Sequence, residues 1–379
     1  MYEFNVSCMD NNARLGTMKT KHGTVETPAF INVGTKATVR GMMIKDLEEI
    51  GTQILIVNAF HLFLKPGVEP IKKGGGLHKY MGNWKRPIIT DSGGFQVMSK
   101  QFFKKITEDG IYFKSPYYWP DQRHKSGIHL LTPEIATQVQ HDLNADIIMC
   151  FDECPPYSKK KGHDYMEQSL ERTLKWAKRC KNYHIEKKSE QALFGIIQGG
   201  SYLDLRKLSL RKTLEIDFPG YAFGGLSVGE PREVRNEILK ECVPLLPTDK
   251  IRYLMGVGTP EDIFEGVEHG IDLFDSVYPT KNARHGSAFT SDGEITIDTV
   301  NNFESLETID PECDCYVCKN YSKSIISHLH KDPGQLIGRK LIIYHNLYFL
   351  NKLMVNIRKA IKNAEYREFK ENFFKRYNK

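Results

Sequence analysis

The chain of 379 residues, 40% hydrophobic and 26% charged, is long enough to bury the core of one large α/β barrel or of two ordinary domains. No run of eighteen apolar residues occurs, which excludes a membrane-spanning helix, and the opening Met1-Tyr-Glu-Phe-Asn lacks a charged-then-apolar leader, so a cytoplasmic protein is expected. The formal net charge is +6, and residues 351–379 carry nine Lys or Arg against three Glu; this basic end of a neutral chain suits an anionic polymer partner or a solvated helix.

Taken in order, the chain opens with a hairpin-like lead-in over 13–26 that turns at His22-Gly23. Apolar, β-rich runs then recur at 28–33, 54–57, 87–90, 147–151, 193–197, 221–223, 252–255 and 271–274, with helical stretches between them. Two of those helices are well signalled. Thr132-Pro133-Glu134 and Thr259-Pro260-Glu261-Asp262 each supply an N-cap, a proline at the first helical position and an acid in the first turn. Strands alternating with helices argue for a parallel sheet, and eight is the number a closed barrel needs. The expected fold is therefore α/β: a (β/α)8 TIM-like barrel over 28–300, preceded by the lead-in over 1–27. A zinc-binding subdomain and a basic C-terminal helix follow over 301–379. A doubly wound open sheet is the competing architecture. The aromatic connection at 115–127 has no assignable role, and the lysine clusters at 158–161 and 186–188 read as solvated. Leu347, Leu350, Met354, Ile357 and Ile361 recur every three or four residues, an amphipathic helix whose other face carries Lys352, Arg358, Lys359, Lys362 and Arg367.

Polar groups collect where the strand-like runs end. Asn58, Asp91, Asp152, Gln198, Gly224-Gly225, Gly256 and Asp275 stand there, and the carboxyl ends of barrel strands converge on one face. Asp91-Ser92-Gly93-Gly94-Phe95 offers an acid, a hydroxyl, two residues without Cβ and an aromatic, which suits a pocket for a flat polar molecule. Asp91 and Asp275 facing one pocket would suit chemistry at a sugar C1′, one attacking the carbon while the other moves a proton on the departing group. Asp152 and Gln198 would read the donor and acceptor edge of a guanine-like base, with backbone from Gly224-Gly225-Leu226 and apolar faces from Phe95 and Met255.

Of eight cysteines, Cys313, Cys315 and Cys318 lie within six residues, which points to a metal rather than to disulfides. A fourth ligand would close a tetrahedral Zn2+ site, with His328, His330 and His345 as candidates; helical spacing puts His328 and His330 on different faces.

Thr90-Asp-Ser-Gly-Gly-Phe-Gln-Val-Met-Ser99, Phe151-Asp-Glu-Cys-Pro-Pro156, Gly224-Gly-Leu-Ser-Val-Gly-Glu230, Tyr253-Leu-Met-Gly-Val-Gly258 and Phe274-Asp-Ser-Val-Tyr-Pro-Thr280 resemble the tRNA-guanine transglycosylases, most of all their bacterial branch. The likeness runs in order from about Lys21 to about Met354. It implies replacement of guanine at wobble position 34 of GUN-anticodon tRNAs (those for Asp, Asn, His and Tyr) by a 7-deazaguanine, through a covalent ribosyl-enzyme intermediate, in queuosine biosynthesis. Carried over by motif, Asp275 is the nucleophile and Asp91 the general acid/base. Asp91, Ser92, Gly93, Gly94, Phe95, Asp152, Cys154, Gln198, Gly225, Leu226 and Met255 hold the base. Contacts to tRNA are implied for Gly256, Val257, Gly258, Thr259, Pro260, Glu261 and Asp262, and for Thr280, Lys281, Asn282, Ala283 and Arg284. The resemblance selects His345 as the fourth zinc ligand and implies a homodimer.

Phe95 stands where bacterial members commonly carry Tyr, Ser227 where many have Ala, and Tyr278 is bulkier than usual beside the nucleophile. Ser227 and Tyr278 are expected near the substituent at C7 of the base, while Val228 and Cys154 favour preQ1, the aminomethyl form. Three alternatives stay open: salvage of queuine; a non-catalytic RNA-binding partner subunit, against which both acids speak; and a zinc-stapled hydrolase or phosphate binder resting on 224–229, which lacks the lysine of a P-loop.

Overall fold

In the computed structural model, residues 2–115, 127–157 and 162–377 are described; the aromatic connection over 116–126 and the lysine cluster at 158–161 lie outside them. Three antiparallel strands come first, β1 (Glu3–Asp10), β2 (Ala13–Thr20) and β3 (Gly23–Thr27). The parallel strands β4 (Ala29–Val33), β5 (Leu55–Val57) and β6 (Ile88–Thr90) follow. An antiparallel sheet of β7 (Phe103–Ile106), β8 (Ile111–Lys114) and β9 (Ile128–Leu131) interrupts the alternation. The parallel order then resumes with β10 (Ile147–Met149), β11 (Ala192–Ile197), β12 (Gly220–Phe223), β13 (Ile251–Leu254) and β14 (Leu273–Ser276), and β14 pairs with β4 to close an eight-stranded barrel. A hairpin of β15 (Ser287–Thr290) and β16 (Gly293–Thr296) leads to the helical C-terminal region.

Side chains alternate across a strand, so the barrel interior takes every second residue. Ile31, Ile56, Ile89, Ile147, Met149, Phe194, Ile196, Ala222, Tyr253 and Leu273 form one cluster, into which Phe4, Met18 and Val25 of the N-terminal sheet also pack. Their neighbours Leu55, Val57, Ile88, Ile148, Leu193, Ile197, Phe223, Leu254 and Phe274 join the larger cluster outside, against the helices. The N-terminal sheet closes the amino end of the barrel. Its Arg14 is buried in an ion pair with Asp272, Nη2 to Oδ2 at 2.9 Å, immediately before β14.

The closed barrel replaces the competing open sheet. The caps on both signalled helices form: Thr132 accepts from Ile135 N–H and Thr259 from Asp262 N–H. Differences are local. β10 stops two residues short of the expected run, and β14 lies later than expected, so Asp275 sits inside a strand, paired with Ile31, rather than after one. The lead-in has a third strand, and the sheet β7–β9 was not foreseen, because its short strands are half polar and interrupted.

The helix Leu336–Lys362 buries Leu347, Leu350, Met354, Ile357 and Ile361 as its periodicity predicts. Arg358 is a correction: it is buried rather than solvated, and its Nη1 donates to the Pro28 carbonyl at 2.8 Å. Arg367 belongs to a separate helix, Tyr366–Tyr377. No helix among the described residues is long and apolar enough to cross a membrane.

Candidate active site and metal centre

The inward register continues to and past the carboxyl ends of the strands. Two residues beyond Ile56, Ile89, Ile196, Tyr253 and Leu273 come Asn58, Asp91, Gln198, Met255 and Asp275, and all five line one cavity of about 420 Å3 at the carboxyl end of the barrel. The cavity is the uppermost layer of the barrel lumen, with polar residues in place of apolar ones. Every residue expected to hold the base lines it: Asp91, Ser92, Gly93, Gly94, Phe95, Asp152, Cys154, Gln198, Gly225, Leu226 and Met255.

Asp91 receives three donors. Asn58 Nδ2 and Gln96 Nε2 reach Oδ2 at 2.7 and 3.0 Å, and Ala59 N–H reaches Oδ1 at 3.0 Å. Burial nevertheless pushes its carboxyl up to about 7, against the pull of the Ala59 N–H, and the nearby charge of Asp275 adds to the rise. On Asp275, Oδ1 accepts from the Tyr253 hydroxyl at 2.5 Å and from Gly256 N–H at 3.0 Å. Burial raises this carboxyl too, and those two donors restrain it. Two acids in one cavity thus stand in different settings, the arrangement that lets one act as acid while the other is ionised.

Asp152 is brought in by the turn after β10. Its neighbour Glu153 faces the opposite way into the helix His163–Glu186, where it is fully buried, accepts from the Tyr165 hydroxyl at 2.8 Å and pairs with Arg172. Anchoring Glu153 leaves Asp152 turned to the cavity. Gln198 Nε2 donates to Asp152 Oδ2 at 2.6 Å and Ser92 Oγ to Oδ1 at 3.3 Å; burial pushes the Asp152 carboxyl up to about 6, held back by those two donors. Gln198 Oε1 is buried without a hydrogen-bond partner, an acceptor left for a ligand's donor. Glycine is required at both positions of the Gly93-Gly94 pair. Gly93 has φ +82° and a Cβ there would lie 2.6 Å from Phe60 Cβ; at Gly94 a Cβ would lie 2.4 Å from the Asp152 carbonyl oxygen. Phe95, 58% exposed, stands at the mouth of the cavity.

The metal cluster holds together in the same way. Cys313, Cys315 and Cys318 Sγ lie 3.7, 3.6 and 3.3 Å from His345 Nδ1. Tetrahedral zinc, with bonds of about 2.3 Å to sulfur and 2.0–2.1 Å to nitrogen, would hold such atoms roughly 3.5 Å apart. His345 Nε2 donates to the Phe289 carbonyl at 2.6 Å, which fixes the tautomer and turns the Nδ1 lone pair toward the three sulfurs. His330 lies instead against Asp298. A second group, His22, His78 and Asp146, sits at the amino end of the barrel. There His78 Nε2 lies 3.2 Å from both the Arg86 carbonyl and Asp146 Oδ2, and His22 Nδ1 lies 2.8 Å from Asp146 Oδ1, so the three tie the N-terminal sheet to the barrel.

The family model for queuine tRNA-ribosyltransferase matches residues 8–379. The chain belongs to the queuine tRNA-ribosyltransferase family. Relatives of that name include proteins of Halothermothrix orenii (51% identical, over 97% of this chain and 95% of the relative) and Lysinibacillus sphaericus (49%, over 99% and 96%). That of Caldanaerobacter subterraneus subsp. tengcongensis is 50% identical over 96% of this chain and 94% of the relative.

For this queuine tRNA-ribosyltransferase family member, the segments expected to meet tRNA flank the cavity. Gly256 lines it, and Gly258 packs against Ser276, where a Cβ would lie 2.4 Å from Ser276 Cβ. Thr259 caps the helix Pro260–Glu268, with Pro260 and Val257 buried beneath, Glu261 half-buried and Asp262 paired with Arg235. In the helix Tyr278–Ala283, Thr280 and Ala283 are buried, Asn282 is half-buried and Lys281 is exposed, while Arg284 follows with its Nε unpartnered. Ser227 is in the cavity wall; Tyr278 is turned away, its hydroxyl donating to Glu294 at 2.9 Å, which corrects the expectation that it borders the C7 substituent. Sequence reasoning assigned no role to Asn58, Gln96, Tyr253 or Glu153. Tyr253 was legible in principle as the inward neighbour of Met255, and Asn58 was placed at a strand end without a role; what Asn58, Gln96 and Glu153 do is visible only through their hydrogen bonds.

Proposed function

We propose that this protein exchanges guanine at the wobble position of GUN-anticodon tRNAs for a 7-deazaguanine, and that the incoming base is preQ1. The observation carrying this reading is the single cavity that holds Asp91 and Asp275 beside the Asp152–Gln198 pair. Asp275 attacks ribose C1′ and forms a covalent ribosyl link as the glycosidic bond to guanine breaks; Asp91 gives its proton to the departing base. The link is broken when the incoming base, deprotonated by Asp91, attacks C1′ and frees the Asp275 carboxylate. Asp152 accepts from the N–H edge of the base and Gln198 Oε1 takes a further donor, while Phe95 and Met255 enclose its faces. A wobble base must leave its stack to reach such a pocket, as bases in single-stranded RNA loops do.

We further propose that Cys313, Cys315, Cys318 and His345 hold one Zn2+ per subunit and that two subunits act as a homodimer. Four protein ligands leave no open position, so the ion cross-links the chain.

The test is incubation with an unmodified GUN-anticodon tRNA and labelled guanine, which is expected to put label at position 34; no incorporation overturns the reading. With preQ1 and queuine supplied together, preQ1 is expected to enter first, consistent with Cys154 and Val228 in the cavity wall. Preferential entry of queuine favours the salvage alternative.

The raised carboxyl of Asp91 makes a pH prediction. Its proton is held below about pH 7 and lost above it. Release of guanine in a single turnover is therefore expected to be flat below that pH and to fall about tenfold per unit above it. A flat profile to pH 9 removes Asp91 as the acid. The same group makes the fold less stable as pH rises from near 4 to about 7, since over that range the unfolded chain has lost the proton that the folded chain keeps.

A further inference from the structure

Arg206, in the helix Leu203–Ile216, is fully buried and forms no ion pair among the described residues. Four of its N–H donors go to main-chain carbonyls. Nε donates to Gly200 O at 2.8 Å, Nη1 to Ile197 O at 2.8 Å and Gly224 O at 2.7 Å, and Nη2 to Gly225 O at 3.0 Å. Burial lowers its pKa only to about 10, so the group is charged at neutral pH. A buried guanidinium without a carboxylate is expensive to keep, so what it does at those carbonyls needs a reason.

The reason lies on the other side of the same peptides. In a trans peptide the carbonyl and the N–H point opposite ways. With the Gly224 and Gly225 oxygens turned in toward Arg206, the N–H groups of Gly225 and Leu226 turn out toward the cavity that both residues line, the Gly225 N–H beside the Cys154 thiol in the cavity wall. Leu226 N–H has no acceptor among the described residues. Gly225 has φ +62°, and a Cβ there would lie 2.3 Å from Gln198 Oε1, so the position must be glycine. A glycine leaves peptide orientation weakly determined, and something else must fix it. Hydrogen bonds accepted by a peptide carbonyl also strengthen its own N–H as a donor.

We propose that Arg206 is a positioning residue for base recognition: through the Gly224 and Gly225 carbonyls it keeps the Gly225 and Leu226 N–H groups directed at the carbonyl oxygen of a 6-oxopurine. The inference rests on the guanine-exchange reading above. It is tested with Arg206→Lys and Arg206→Gln, assayed for guanine exchange and for inhibition by 2-aminopurine, which lacks that oxygen. In both variants KM for guanine is expected to rise at least tenfold, with KM for tRNA within about twofold of the parent. The preference for guanine over 2-aminopurine is expected to narrow at least tenfold, with Lys retaining more of it than Gln. A fall in kcat alone, with base preference unchanged, overturns the proposal. Loss of the fold in both variants, read by circular dichroism and melting, also overturns it, since Arg206 is then a residue of stability. Absence of exchange in the parent protein sinks the underlying reading; exchange in the parent with unchanged preference in the variants sinks this proposal alone.

Discussion

Asp275→Ala is expected to lower guanine exchange by about 10⁴-fold or more, the scale of losing an attacking group, while the variant still binds tRNA within about twofold of the parent. The expectation follows from where the carboxylate sits. One of its oxygens is held by Tyr253 and by Gly256 N–H, so the side chain is oriented before any substrate arrives. Asp275→Asn keeps the size and loses the charge, and should fail to the same degree, which separates nucleophilicity from packing. The two readouts are incorporation of labelled guanine and retention of labelled tRNA on a filter. Exchange at the parent rate in either variant moves the attack to another group. Exchange and tRNA binding lost together would make Asp275 a residue of the RNA surface.

Metal removal is expected to have the second large effect. Isolated zinc modules owe roughly 10–16 kcal/mol of apparent folding energy to the ion. Here the ligand helix Leu336–Lys362 is already packed on the barrel, so a fraction of that is at stake, several kcal/mol, equivalent to about 5–10 °C in melting temperature. Exchange should fall along with stability, because Asn346, next to the proposed ligand His345, is bonded to the segment that follows Asp275. Its Nδ2 donates to the carbonyls of Pro279 and Ser287 at 3.1 and 3.0 Å, and its Oδ1 accepts from Phe289 N–H at 3.0 Å. Cys315→Ala should reproduce what a chelator does, and added zinc should rescue only the chelated parent. A chelated protein shown by elemental analysis to be metal-free, yet unchanged in melting and exchange, would contradict both parts.

Much of this was legible in the chain. The eight strands announce themselves because both of their faces are buried, so apolar residues dominate each run with few polar interruptions, and turn residues bound each run. The candidate site was legible because Asn58, Asp91, Gln198 and Asp275 are polar where the runs would otherwise continue. What stayed hidden depends on partners far apart in sequence. Arg358 reads as solvated on its helix, and only partners distant in sequence, the Pro28 carbonyl and Glu26, explain its burial. Glu153 is an ordinary acid until Arg172 and Tyr165 meet it. The strands β7–β9 are four residues each, and β7 and β9 carry no alternation to mark them.

Because the polar layer at the top of the barrel is set by counting two from an interior residue, an insertion or deletion has opposite consequences on either side of a strand boundary. One residue gained within β6 or β14 would swing the acid outward among the helices and bring its neighbour inward. The same change in a connecting loop leaves the phase of every strand intact. Length variation in a barrel of this kind is therefore free to accumulate in its loops, while the spacing from Ile89 to Asp91 and from Leu273 to Asp275 is held fixed by geometry.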